Sequence, residues 1–336
     1  MAFSTGTANN STDLWNKLIA FLTTNADLVA NGEAWQIVNN YTESGQPRVV
    51  LKGVGASGNE AIYVGLARTD SVTTDGNNIR LVGMTGYLPD ATAWNEHVNV
   101  SPEVRLWLDS NPMKYWFVAN GRRFSVVVNM STVYQTIYAG FFLPYANPLS
   151  YPYPMFIGGT SSTWSGTNAV DSWRSQSTYH AHYMYGPFNT ISGNVTAVTA
   201  TNGFMLSPGG SWLTSAAAAD AAVSIKPKVH NNNDPDGSPR WGLANAYTGT
   251  GTQRLGSESV RARITQNFGG GYTLENFTLI QTSPSVETYG VLDGVYSCPG
   301  VGNAAENIVS IDSVDHLIVQ NVWRTTTADY WALRLE

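Results

Sequence analysis

Residues 115–159, YWFVANGRRFSVVVNMSTVYQTIYAGFFLPYANPLSYPYPMFIGG, leave the chain little choice of local structure. This is the densest aromatic and β-branched run in the protein, and such side chains suit a pleated, partly buried surface better than a helix. Asn120-Gly121 falls between two apolar runs and is a strong hairpin signal, because both central residues of a type I′ turn need positive φ. The turn joins a predicted strand over 115–119 to one over 122–130. Along the second strand Phe124, Val126, Val128 and Met130 share one face, and Ser125, Val127 and Asn129 share the other. Ser131-Thr132 turns the chain into a third strand over 134–143. The prolines of Leu143-Pro144-Tyr145 and Tyr151-Pro152-Tyr153-Pro154 then end the pairing, since proline has no N–H to donate. The stretch reads as a core sheet without a catalytic signature.

The flanking sequence extends the same pattern. Residues 1–10 read as a polar leader, and Ser11 as the cap of a helix over 12–24. In that helix Leu14, Trp15, Leu18, Ile19, Phe21 and Leu22 form an apolar stripe that needs burial against the sheet or a neighbouring subunit. Leu14, Trp15, Leu18 and Phe21 are therefore the candidate interface residues. Short strands are predicted over 35–41, 48–52, 61–68, 78–86 and 105–109, separated by Gly45-Gln46-Pro47, residues 53–58 and Asp75-Gly76-Asn77, all turn chemistry. Ile62, Val64 and Leu66 alternate with Tyr63, Gly65 and Ala67, giving one bulky face and one small one. The Gly/Ser/Thr run 158–166 is the best boundary. Beyond it, 167–256 is weakly patterned and predicts long surface loops, with short strands over 180–185 and 192–200. Strands return over 259–266, 272–282, 292–297 and 307–311. A last meander runs through Leu317, Val319 and Trp323, then Trp331, Leu333 and Leu335.

A succession of strands without intervening helices predicts a mainly β fold: antiparallel, sandwich-like sheets in two lobes, with one N-terminal amphipathic helix and long loops. The expected organisation is a leader and helix over 1–32, a β lobe with the central meander over 33–160, a loop-rich insert over 161–256, and a C-terminal β lobe over 257–336, the two lobes being able to share one core.

Composition narrows the function classes. Charged residues make up 12% of the chain, about half the usual share. So neutral a surface suits a subunit of a large assembly, where much of it becomes interface, and on composition alone it suits a neutral extracellular β-protein equally well. The net charge is -6 and no basic run is longer than Arg122-Arg123, so no nucleic-acid partner is expected. Cys298 is the single cysteine, which excludes an intrachain disulfide and a cysteine-based zinc site and fits folding in a reducing cytoplasm. The opening residues lack the basic and apolar regions of a secretion signal, and no apolar run approaches the ~20 residues that cross a bilayer, so no membrane partner is expected either.

Residues that could carry chemistry are few. His180 and His182 lie on one strand face, about 7 Å apart at the usual rise, but a metal would need two more ligands. Asp234 and Asp236, with Asn232, imitate the first half of a calcium loop, yet Leu243 stands where the bidentate glutamate belongs. Cys298 would need a base, and His316 is the nearest histidine in sequence. There is no G-x-S-x-G and no phosphate-binding glycine loop in the right context. Among the carboxylates, Asp293 and Glu306 have the least ordinary settings, and turn capping is the preferred reading of both. Trp164, Trp173, Trp212 and Trp241 could stack on sugar rings. No catalytic residue, metal or cofactor is expected.

Four stretches resemble a family of tailed-bacteriophage virion proteins. They are the opening Ala2-Phe3 with Thr5-Gly6-Thr7-Ala8, Asp13-Leu14, Lys17-Leu18 and Phe21-Leu22-Thr23; then Tyr115 through Phe124; then Thr132-Val133-Tyr134 through Gly140-Phe141, Leu143-Pro144-Tyr145, Tyr151-Pro152-Tyr153-Pro154 and Gly158-Gly159; and finally Leu292-Asp293-Gly294-Val295-Tyr296, Gly302 through Asn307, Val319-Gln320-Asn321-Val322 and Arg324-Thr325. The resemblance implies a non-enzymatic structural protein in or near the tail, in the tail tip, baseplate or neck, located in the virion and partnered by copies of itself and other virion proteins. It supplies no catalytic residues. The alternative is a host-recognition fibre or spike that binds a surface glycan. A head decoration protein or a polysaccharide depolymerase ranks behind both.

Overall fold

The computed structural model describes residues 1–56, 60–70, 76–161, 203–214, 224–226, 274–281, 287–298, 303–320 and 330–336. In chain order the elements begin with β1 (Ala2–Ala8), α1 (Ser11–Thr24), α2 (Ala26–Ala30), β2 (Gln36–Glu43), β3 (Gln46–Gly53), β4 (Ile62–Thr69) and β5 (Asn77–Met84). There follow β6 (Val104–Leu108), β7 (Met113–Ala119), β8 (Arg123–Met130), β9 (Val133–Phe141), β10 (Leu143–Pro144), β11 (Met155–Gly158) and β12 (Thr160–Ser161). The last are β13 (Gly203–Leu206), β14 (Trp212–Thr214), β15 (Ser224–Lys226), β16 (Glu275–Gln281), β17 (Glu287–Cys298), β18 (Ile308–Ile311), β19 (Val314–Gln320) and β20 (Tyr330–Arg334).

The described strands form three antiparallel sheets, so the fold is mainly β with an N-terminal helix. A central sheet runs β1-β7-β8-β9-β11-β13-β14. An N-terminal sheet runs β12-β6-β5-β4-β3-β2, and a C-terminal sheet runs β15-β16-β17-β20-β19-β18, with β10 also paired to β17. The meander over 115–159 supplies the middle of the central sheet, and side-chain alternation gives that sheet two buried faces. Phe124, Val126 and Val128 of β8 and Ile137 and Phe141 of β9 pack with Val49, Leu51, Val64, Leu66 and Leu81 of the N-terminal sheet. Val127, Tyr134 and Tyr138 point the other way, against Phe277, Leu279, Leu292, Val295, Leu317, Trp331 and Leu333 of the C-terminal sheet. All of β9 is buried as a result. The two expected lobes therefore share a layer.

Several expectations need correction. The residues read as a polar leader form β1, which pairs with β7 from Ala2↔Ala119 to Ala8↔Met113. The cap of α1 is Asn10, whose side chain accepts from the Asp13 N–H at 2.9 Å, and not Ser11. Leu14, Trp15, Leu18 and Phe21 are buried inside the chain's own core, with the Phe21 and Phe117 rings 5.6 Å apart, so they are not a surface for a neighbouring subunit. The run 158–166 does not begin as a linker: Gly158 pairs with Tyr138, and Thr160 and Ser161 pair with Arg105 and Val104. The expected insert supplies β13 and β14 to the central sheet and β15 to the C-terminal one. Leu143-Pro144 leaves β9 but continues as β10 on Val291 and Gly290 of β17. The strands predicted over 180–185, 192–200 and 259–266 lie outside the described residues.

The β7–β8 hairpin forms with its turn shifted by one residue. Asn120 and Arg123 pair, and neither Asn120 nor Gly121 has positive φ, so this is not the type I′ turn. Asn120 acts from the flank: its side-chain oxygen accepts from the N–H groups of Arg122 and Arg123, both at 3.0 Å. Gly121 is needed for close approach, since a Cβ there would overlap the Val54 side chain. The small face of β4 has a similar purpose. Trp94 sits over Gly65 and Ala67, between the guanidinium groups of Arg48 at 4.9 Å and Arg80 at 5.3 Å.

Candidate functional site

Two polar clusters bridge the central and C-terminal sheets, and they hold the two carboxylates singled out in sequence. Neither carboxylate caps a turn in the expected way. Asp293 lies within β17, where Gly294 takes a left-handed φ of 71°. Its Oδ2 accepts from Arg122 Nε at 3.1 Å and Nη2 at 2.9 Å, from Arg123 Nε at 3.2 Å and from Asn120 Nδ2 at 3.4 Å. Arg123 is wholly buried, and a Cβ on Gly294 would overlap its guanidinium. The Asp293 N–H donates to the Tyr138 hydroxyl at 3.4 Å. The same turn reaches the N-terminal sheet, because Gly55 N–H donates to Gly121 O and Trp35 Nε1 donates to Asn120 O, each at 2.9 Å. All three sheets thus meet at residues 120–123.

The electrostatics of this cluster follow from burial and counter-charge. Burial pushes the Asp293 carboxyl up, but the adjacent Arg123 and Arg122 charges and their hydrogen bonds outweigh it, holding the group below the ordinary aspartate range. Burial, reinforced by the Asp293 charge, pushes the Tyr138 phenol well above its ordinary value, so it stays neutral.

The second cluster lies at the other end of β8. Glu306, left-handed at φ 71°, is fixed by its N–H donating to Ile318 O at 2.8 Å. Its Oε2 meets Lys114 Nζ at 2.5 Å, while Oε1 accepts from Asn129 Nδ2 at 2.7 Å and from the Tyr134 hydroxyl at 2.9 Å. Lys114 and Asn129 are directly opposed on β7 and β8. Burial pushes the Glu306 carboxyl up, but the bonds from Lys114, Asn129 and Tyr134 carry it below its ordinary value. A carboxylate that touches an amine with one oxygen and a carboxamide with the other can move a proton between them.

Geometry rules out two pairings among the described residues. Arg123 and Asn129 are six positions apart along β8, so the clusters that hold Asp293 and Glu306 are spaced about 20 Å at ~3.3 Å per residue. A glycosidase pair needs roughly 5–9.5 Å. Cys298 ends β17, buried, and accepts from Asn303 Nδ2 at 3.4 Å. It pairs with Tyr330, which pairs with Gln320, whereas His316 pairs with Arg334. His316 is therefore four residues along the sheet, roughly 13 Å, and cannot serve Cys298 as a base.

Trp212 packs its ring against the first core and donates Nε1 to Asn99 O at 3.0 Å, so it does not stand free as a sugar platform. His180, His182, Asp234, Asp236, Trp164, Trp173 and Trp241 lie outside the described residues. Among the described residues no three His, Cys, Asp or Glu side chains converge as metal ligands would, and no helix is long and apolar enough to cross a membrane. Sequence reasoning missed Lys114, Asn129 and Tyr134. The available signal was polar residues on the inner face of strands whose other face is wholly apolar. A scan against protein-family models finds no match, and a search of curated proteins returns no similar chain.

Proposed function

We propose that this chain is a structural subunit of a tailed-phage particle, placed in the tail tip, baseplate or neck and assembling with copies of itself and with other virion proteins. One observation carries the reading: the stretches that resemble virion proteins are far apart in sequence but meet at the joints between sheets. The opening pairs with the second stretch along β1 and β7. The second stretch, through Asn120, Arg122 and Arg123, holds Asp293 of the fourth. Asn129, between the second and third stretches, and Tyr134 of the third hold Glu306, also of the fourth. Residues specified together in such a family would then be those that lock a three-layer scaffold. The test is direct: mass spectrometry of purified particles, followed by an averaged map of the intact particle, should find the chain in several copies around the tail axis. Its absence from particles would end the proposal.

A further inference from the structure

We propose that Lys114 and Asn129 become joined side chain to side chain by an isopeptide bond, which the folded chain forms itself with Glu306 as proton carrier. Three observations carry this. The two residues are directly opposed on β7 and β8, where Cβ atoms lie about 4.5–5.5 Å apart. Both are held by one carboxylate, Lys114 Nζ on Oε2 at 2.5 Å and Asn129 Nδ2 on Oε1 at 2.7 Å, so nucleophile and leaving group sit at its two ends. The carboxylate itself is immobilised, by the Glu306 N–H on Ile318 O and by the Tyr134 hydroxyl at 2.9 Å from both Glu306 Oε1 and Asn129 Nδ2. Such positioning replaces a bimolecular encounter with a step inside one folded chain.

The chemistry balances without a co-reactant. The Lys114 ammonium gives one proton to Glu306, and the freed lone pair forms the bond from Nζ to Asn129 Cγ. The bond from Cγ to Nδ2 then breaks, its electron pair staying on nitrogen, which takes the proton that Glu306 carries. The surplus proton on Nζ follows through the same carboxylate, and ammonia departs as ammonium. Glu306 ends as the carboxylate it was, and a secondary amide links the strands.

The test does not depend on the virion proposal, because it uses the purified full chain alone. Its intact mass is expected to fall short of the sequence by one ammonia, and a protease digest to yield a branched peptide joining Lys114 to Asn129. Lys114→Arg keeps a cation on Glu306 but cannot form this amide, so its mass should be complete while circular dichroism shows it folded. Glu306→Gln should likewise keep the full mass. Cyclisation at Asn120-Gly121 would lose the same mass, but it would survive Lys114→Arg and map to residue 120. A wild-type chain of full mass with linear peptides at 114 and 129, or a deficit that persists in Lys114→Arg, overturns the proposal.

Discussion

Replacing Asp293 by Asn tests whether the 120–123 joint holds the sheets together. The substitution keeps shape and removes one charge. Arg123 has 0% exposure, and Asp293 is its only charged partner among the described residues. Breaking a buried pair by deleting one partner costs about 3–5 kcal/mol, because the remaining charge is left in a poorly solvated place. Arg122, with a side chain 32% exposed, can turn to water, so Arg122→Ala should cost only about 0–1 kcal/mol. Against a total stability of roughly 5–15 kcal/mol, the Asp293→Asn loss would be plain in a urea titration followed by circular dichroism. The double change Arg123→Met, Asp293→Leu should recover much of it, since apolar replacements of a buried pair are often neutral. The carboxyl titrates below its ordinary range in the folded chain, so the stability that it contributes is complete above pH ~4 and is lost as pH falls through the folded value. Asp293→Asn should flatten that acid arm. A variant within about 1 kcal/mol of wild type, with an unchanged acid arm, would refute the reasoning.

Leu18→Ala should destabilise the chain by about 2–5 kcal/mol, as for a fully buried leucine, and leave the oligomeric state of the folded protein unchanged in sedimentation; altered assembly at normal stability would restore the helix as an interface. Burial holds the His97 and His316 imidazoles below their ordinary value, and His97 Nδ1 already accepts the Leu88 N–H at 3.2 Å. Their contribution is therefore complete above pH ~6.5 and is lost as pH falls below it, so urea midpoints should begin to drop there, ahead of the carboxylates, and the double variant His97→Asn, His316→Asn should delay that onset.

Local structure was legible where the two-residue period was strong. The predicted strands over 48–52, 61–68 and 78–86 correspond to β3, β4 and β5, and the bulky and small faces of β4 are turned as the alternation required. β1 escaped notice because Ser, Thr and Gly carry no apolar period. It is an edge strand, and its Gly6 is small because the Tyr115 ring lies against it. Asp293-Gly294 reads as a turn because the pair is ordinary turn chemistry, yet the left-handed glycine sits inside β17 to make room for Arg123. Its partner is 170 residues away, and no local pattern encodes a contact at that separation. Asn120-Gly121 was readable as a hairpin, but its turn type depended on Val54 and Gly55, which follow β3 of another sheet.

The shared layer also changes what the low charge means. Composition alone suggested a surface destined for partners. No charged residue occurs from Phe124 to Val170, and much of that span supplies β8, β9 and β11, which lie between two sheets. A strand buried on both faces has nowhere to place a charge without a partner, so a three-layer fold depletes charge by its own architecture. Internal packing accounts for that part of the deficit, and an interface is not needed for it. Where charges do enter the layer boundary, at Arg123 and Lys114, each meets a carboxylate from the C-terminal side, Asp293 of β17 and Glu306 of the turn before β18. Burial alone would accept many pairings of two apolar sheets, whereas two ion clusters about 20 Å apart along β8 accept one register. Shifting the sheets by a residue would strand Arg123 without its counter-charge. The scaffold reading therefore rests less on the scarcity of charge than on where the few charges are placed.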